Sequence, residues 1–161
     1  MTFPTDGLIG STPASIGADT TAKHAVGTRV NASSGQVWVY VLASADISAS
    51  WCVAVSNAFS ASGMTKALAD LGYQPANALY AIPSGSYGWV AIHGQGLTQT
   101  VLGSCDKGVV LCTSAVTGVL DDATASQTKV WGAVAITSAG TTATTNVTLN
   151  LVFPHTQLAG A

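Results

Sequence analysis

The stretch Gln36 to Leu42, QVWVYVL, decides the fold class. Side chains alternate along a strand, so Val37, Val39 and Val41 share one face and Trp38, Tyr40 and Leu42 the other. Both faces are apolar. Such a strand is either covered on both sides within its own domain or turns one side to another subunit. From Val26 onward, similar short runs recur at 51–55, 78–82, 87–93, 97–102, 109–113, 130–137 and 146–153. In the last of these Val147, Leu149, Leu151 and Phe153 are expected inward and Thr148 and Asn150 outward. Turn signals separate the runs: SSG at 33–35, PSGS at 83–86, HGQG at 93–96, DKG at 106–108 and LDDA at 120–123. Residues 138–146, SAGTTATTN, are low in complexity and predict a loop. Only TKALADLG at 65–72 suits a helix, with Thr65 as its cap and Gly72 as its stop. The expectation is all-β, a single β-sandwich or β-barrel domain, with no internal repeat at a solenoid or propeller period.

Composition narrows the function. The chain has 161 residues with 5 Lys+Arg, 7 Asp+Glu and a formal net charge of −2. All the acids are Asp. Charged residues make up 7%, against about 25% in an ordinary soluble domain. Five basic side chains cannot neutralise a run of phosphates, which argues against nucleic acid as a partner. No run reaches the roughly 18 apolar residues that a membrane helix needs. Collagen and coiled-coil patterns are missing, and a hydrophobic fraction of 48% argues against disorder.

Cys52, Cys105 and Cys112 are odd in number and lack CxxC spacing, so they predict buried free thiols in a reducing compartment. The first residues, MTFPTDGLIGSTPASIG, lack the basic start and unbroken apolar core of a signal peptide. Synthesis in a cytoplasm is therefore expected. Residues 1–25 show neither helical nor strand periodicity. They are expected to form either a loose tail or an extended N-terminal arm on a neighbour, anchored by Phe3 and Ile9, with the β-rich domain spanning 26–161.

No catalytic pattern stands up. The stretch Ser84-Gly85-Ser86-Tyr87-Gly88 lacks the first glycine of a nucleophile elbow and leads into a strand rather than a helix. His24, His93 and His155 are far apart in sequence. Asp121-Asp122 lacks the spacing of a calcium loop and suits turn chemistry. HGQG lacks the strand–turn–helix setting of a phosphate cradle. The expectation is no catalytic, cofactor-binding or metal-binding residues. The aromatics Trp38, Tyr40, Trp51, Tyr87, Trp89 and Trp131 admit three readings: core packing, subunit contact or a sugar-stacking platform.

With so few charges, the surface must be built largely from Ser, Thr, Ala, Gly and backbone. Such a surface docks with little desolvation of charge and little loss of side-chain freedom. It is also a weak barrier to edge-to-edge strand pairing. Both properties favour a protein that works in an assembly.

Three stretches resemble structural proteins of tailed bacteriophages, in particular the small head-decoration or capsid-cement proteins. VGTRVNASSGQVWVYVLASADI at 26–47 is similar to their GT-V turn, a strand ending in Y-V-A and a following A-D-I. AIPSGSYGWVAIHGQG at 81–96 is similar to a small-residue lead-in to Tyr-Gly-Trp-Val and a Gly-x-Gly turn. VVLCTSAVTGVLDDA at 109–123 is similar to L-x-T-S-A-T-A-G-x-L-D-D, with Val116 and Thr117 where Thr and Ala are usual. With VWGAVA at 130–135 they cover most of residues 26–137. Residues 1–25 and those after about 138 match nothing in the pattern.

The resemblance implies a virion protein, made in the host cytoplasm and added to the outer surface of an assembled capsid. It implies bridging of major capsid protein subunits, a homotrimer, and action without cofactor or turnover. Phe3, Ile9, Trp38, Tyr40, Tyr87 and Trp89 are the candidate subunit and capsid contacts. The alternative is a tail or head-fibre adhesion domain that binds host-surface carbohydrate. A small hydrolase using Ser86, Asp121 or Asp122 is the third reading.

Overall fold

A computed structural model describes residues 17–32, 35–123, 127–141 and 143–157. The chain is all-β apart from one short helix. In order it forms β1 (Arg29–Asn31), β2 (Val37–Ala43), β3 (Trp51–Val55), β4 (Ser60–Gly63), α1 (Lys66–Asp70), β5 (Gln74–Ala78), β6 (Tyr87–Leu102), β7 (Val110–Thr113), β8 (Leu120–Asp121), β9 (Lys129–Ala135) and β10 (Thr144–Gln157).

The ladder β1-β2-β4-β3-β5-β6-β10-β9-β7-β8 carries two further pairings, β2 with β6 and β6 with β8. These close it into two rings. The first runs β2-β4-β3-β5-β6 and returns to β2; the second runs β6-β8-β7-β9-β10 and returns to β6. The long strand β6 therefore gives its first half to one barrel and its second half to the other. HGQG, predicted as a turn, is strand: Gly96 sits at φ 68, and the β6–β10 register shifts where Leu149 and Leu151 oppose Leu97 and Gly94. A bulge thus carries β6 from one ring into the next. Outside the rings, β1 pairs with β2 alone and keeps an open edge. It is short and bears Arg29, which discourages strand addition.

The two rings are copies in topology and register, a two-fold repeat whose spacing, Val41 to Val101, is longer than the solenoid and propeller periods. In each, the first strand pairs in parallel with the third and antiparallel with the fifth. Leu42↔Tyr87, Val41↔Gly88, Tyr40↔Trp89, Val39↔Val90 and Trp38↔Ala91 in the first barrel recur as Leu102↔Thr144, Val101↔Thr145, Thr100↔Asn146, Gln99↔Val147 and Thr98↔Thr148 in the second. The sequence VLASAD at 41–46 recurs as VLGSCD at 101–106, and Cys52 recurs as Cys112.

Alternation places Val39, Val41, Val53, Val55, Val90 and Ile92 in one buried cluster inside the first barrel, closed by an Ile47–Ile82 bridge. A second cluster joins the interior of the second barrel, including Val101, Leu111, Leu120, Val147 and Leu149, to the outer face of the first, where Trp38, Tyr40 and Trp89 lie. Both faces of β2 are therefore covered. Val147, Leu149 and Leu151 point inward as expected. Phe153 does not: the β10–β9 register shifts between Leu151 and His155, and Phe153 is left 56% exposed.

Gly118 locks the barrels together. Its N–H donates to Met64 O and its carbonyl accepts from Cys52 N–H, each at 2.8 Å. A Cβ there would lie 2.3 Å from Trp51 Cδ2. Beside it, the buried Asn77 amide donates to Gln99 Oε1 (3.0 Å) and Thr98 O (2.9 Å), and Gln99 Nε2 donates to Gly118 O (3.2 Å). Buried polar groups persist where they are paired, and here the pairs span both barrels. Helix α1 starts as predicted, with Thr65 Oγ1 accepting from Leu68 N–H. Gly72 follows its C-cap at φ 76.

Candidate interaction surface

Tyr40, Tyr87 and Trp89, three of the aromatics singled out from the sequence, meet on the outer face of the first barrel. Tyr40 stacks on Tyr87 at 6.0 Å and tilts against Trp89 at 5.0 Å. They are not open to a partner. Trp38 and Tyr40 are 0% exposed and Trp89 is 1% exposed, so these three side chains are covered within the chain itself. On the closed outer face of a barrel, big rings are covered by the rest of the chain. Tyr87 remains half-buried. Phe3 and Ile9 lie outside the described residues.

Residues 17–28, largely within the predicted arm, form a strap over this aromatic face. Asp19 and Tyr87 exchange both backbone hydrogen bonds, at 2.8 and 2.7 Å. The Asp19 carboxylate accepts from Tyr40 Oη–H at 2.9 Å and pairs with Lys23 Nζ at 2.5 Å. His24 meets Tyr40 edge-on at 5.2 Å and lies 5.3 Å from Trp89. Burial pushes the Asp19 carboxyl up, but the Lys23 ammonium and Tyr40 hydroxyl outweigh it and hold its pKa below the ordinary value. Burial raises the Tyr40 phenol, with Asp19 adding to the effect. From Ala18 to Lys23 only Asp19 is buried, so that one side chain carries much of the attachment.

The candidates for chemistry are dispersed. Ser86 stands just before β6 and Asp121 pairs near its far end, where Val101 meets Leu120. His93 stacks on Phe153 at 4.5 Å, and His155 lies across the ladder from Trp131. No group of three or more His, Cys or Asp side chains is placed to hold a metal among the described residues. The three cysteines are free and buried. Burial pushes the Cys52 and Cys105 thiols up to about 12 and Cys112 to about 11.

An uncharged surface lies on the second barrel, across the outer faces of β6, β10 and β9. Thr98 and Thr100 project from β6, Asn146, Thr148 and Asn150 from β10, and Val134 and Ile136 from the β9 side. Thr98 and Asn146 are exposed, Ile136 is 43% exposed, and the others are half-buried. Thr100 Oγ1–H donates to Asn146 Oδ1 at 2.9 Å, so neighbouring side chains are already oriented. A face without ionised groups loses little on desolvation. The sequence announces this face through its run of Thr and Asn at 144–150. Its start, Thr144 to Asn146, falls in the low-complexity stretch that reads as loop, and the rest in the predicted strand at 146–153.

The fold defines a class: an all-β protein of two joined barrels. No protein-family profile and no curated protein matches the sequence. The chain is similar to one solved structure, the N base of the head fiber gp8.5 of bacteriophage phi29. Identity is 17% and the TM-score 0.47, over 74% of this chain and 96% of that one. At that identity and score, neither ancestry nor function passes from that protein to this one.

Proposed function

We propose that the protein is a virion structural protein of a tailed bacteriophage, a decoration protein on the outer surface of the assembled capsid. In this reading it bridges and stabilises major capsid protein subunits as a homotrimer, without catalysis or cofactor. The observation that carries the proposal is the uncharged outer face of the second barrel, held on a body locked by Gly118 and the Asn77–Gln99 bonds. The sequence resemblance supports it, since two of its glycines stand where the chain is crowded. A Cβ on Gly88 would lie 2.7 Å from Ile82 Cδ1, and Gly118 is crowded by Trp51.

The energetic basis is mass action. A protein that binds only the assembled lattice stabilises it by RT ln(1 + [L]/Kd) per site, and many copies add up against the pressure of packaged DNA. Binding is tested by mixing purified protein with capsids stripped of it. Saturable binding with a raised disassembly temperature is the expected result, and failure to bind overturns the proposal. The competing carbohydrate-binding reading drew on six aromatics, of which Trp38, Tyr40 and Trp89 are buried and Trp51, Tyr87 and Trp131 are half-buried.

A further inference from the structure

The two barrels are internal copies, yet their equivalent faces are finished differently. In the first barrel, the face built on Trp38, Tyr40, Trp89 and Ala91 carries an extended strap of the same chain, whose Asp19 and His24 lie against Tyr40 and Trp89. In the second, the equivalent positions are Thr98, Thr100, Asn146 and Thr148. No described segment lies over Thr98 or Asn146, which are exposed. The chain itself therefore displays what kind of occupant such a face takes: an extended polypeptide segment.

We infer that the uncharged face of the second barrel is a docking surface for residues 1–16 of a second copy of this chain. Those residues, MTFPTDGLIGSTPASI, adjoin the strap and carry one charged side chain, Asp6. Their small polar and apolar character suits a face with no ionised groups and with Val134 and Ile136 at one side. Reach decides between the same copy and another. Asp19 is tied to Tyr87 at the start of β6, about 40 Å along that strand from Thr98 and Thr100 at roughly 3.3 Å per residue. Sixteen residues fully extended span at most about 55 Å. Within one copy most of that length is used in transit, and only the first few residues arrive. From a second copy the whole segment, including Leu8 and Ile9, lies along the face. The inference stands apart from the virion reading, since it is tested on purified protein without capsids.

The experiment mixes two single variants, Phe3→Cys and Thr148→Cys, under mild oxidation; the three native thiols are buried. A covalent dimer containing one of each variant is the expected result. No disulfide, or in a Phe3→Cys/Thr148→Cys double variant only a disulfide within one chain, overturns the inference. Sedimentation provides the second readout. The parent chain associates with concentration, and deleting residues 2–16 or combining Thr98→Lys with Thr148→Lys raises the dissociation constant at least about tenfold while the melting temperature of the dissociated chain is retained. A parent monomeric at every concentration, or association unchanged in both variants, also overturns it.

Discussion

Gly118→Ala separates what a backbone conformation costs from what the barrel junction costs. Gly118 has φ 74, and an added Cβ would lie 2.3 Å from Trp51 Cδ2 and 2.6 Å from Cε3 and Cγ. A left-handed conformation costs an L residue about 1–2 kcal/mol. Forcing a methyl group into a filled site costs about 1–3 kcal/mol more, because the indole and the strand behind it must move. Gly72 provides the control: it has φ 76 with nothing within 4 Å of an added Cβ, so Gly72→Ala meets only the backbone cost. In a protein of this length each kcal/mol shifts the melting temperature by about 2–4 °C. Gly118→Ala is therefore expected to melt about 2–12 °C below Gly72→Ala in calorimetry. In a Trp51→Ala background the excess should shrink, since the obstructing ring is gone. Equal shifts for the two glycines, or an excess that survives Trp51→Ala, would refute the junction account.

Three further outcomes follow from the buried polar groups. Asp19 titrates below its ordinary value of 3.8 in the folded chain, so its contribution to strap attachment is complete above about pH 4 and is lost as pH falls through the folded pKa. Hydrogen-exchange protection of residues 17–25 should drop over that acid range, and Asp19→Asn should lower it about tenfold at neutral pH; unchanged protection in the variant contradicts this. Cys52, Cys105 and Cys112, with thiols at about 11 to 12, should resist a disulfide reagent at pH 8 until the protein unfolds, so rapid native labelling counts against their burial. Gln99→Leu should cost about 1–3 kcal/mol in urea unfolding by leaving one Asn77 N–H without its acceptor, and Asn77→Leu in the same chain should recover part of it; additive losses would mean that the pair is not coupled.

The strands that were legible in the sequence are those in which packing dictates residue type. QVWVYVL becomes β2, the run at 51–55 becomes β3, and Thr65 caps the helix. Strands β4 (SASG) and β8 (LD) escaped because their partners on both sides, not their own side chains, hold them in the rings. Residues 78–82 read as strand, yet β5 ends at Ala78 and Ile82 makes a single bridge. The duplication was hidden because Tyr40 and Trp89 correspond to Thr100 and Asn146. Covered and uncovered faces select opposite residue types even when register is shared. For the same reason the bulky aromatics Trp38, Tyr40 and Trp89 are found inside the chain. They mark where the chain covers itself, whereas the open face is written in small uncharged residues.

The central claim, that this chain clads a phage head, is tested most directly by counting it in purified particles, with quantitative mass spectrometry and density for the capsid exterior. Hundreds of copies per particle, seated on the outside of the shell, is the predicted result. Absence from the particle, or a handful of copies confined to the tail, would contradict it.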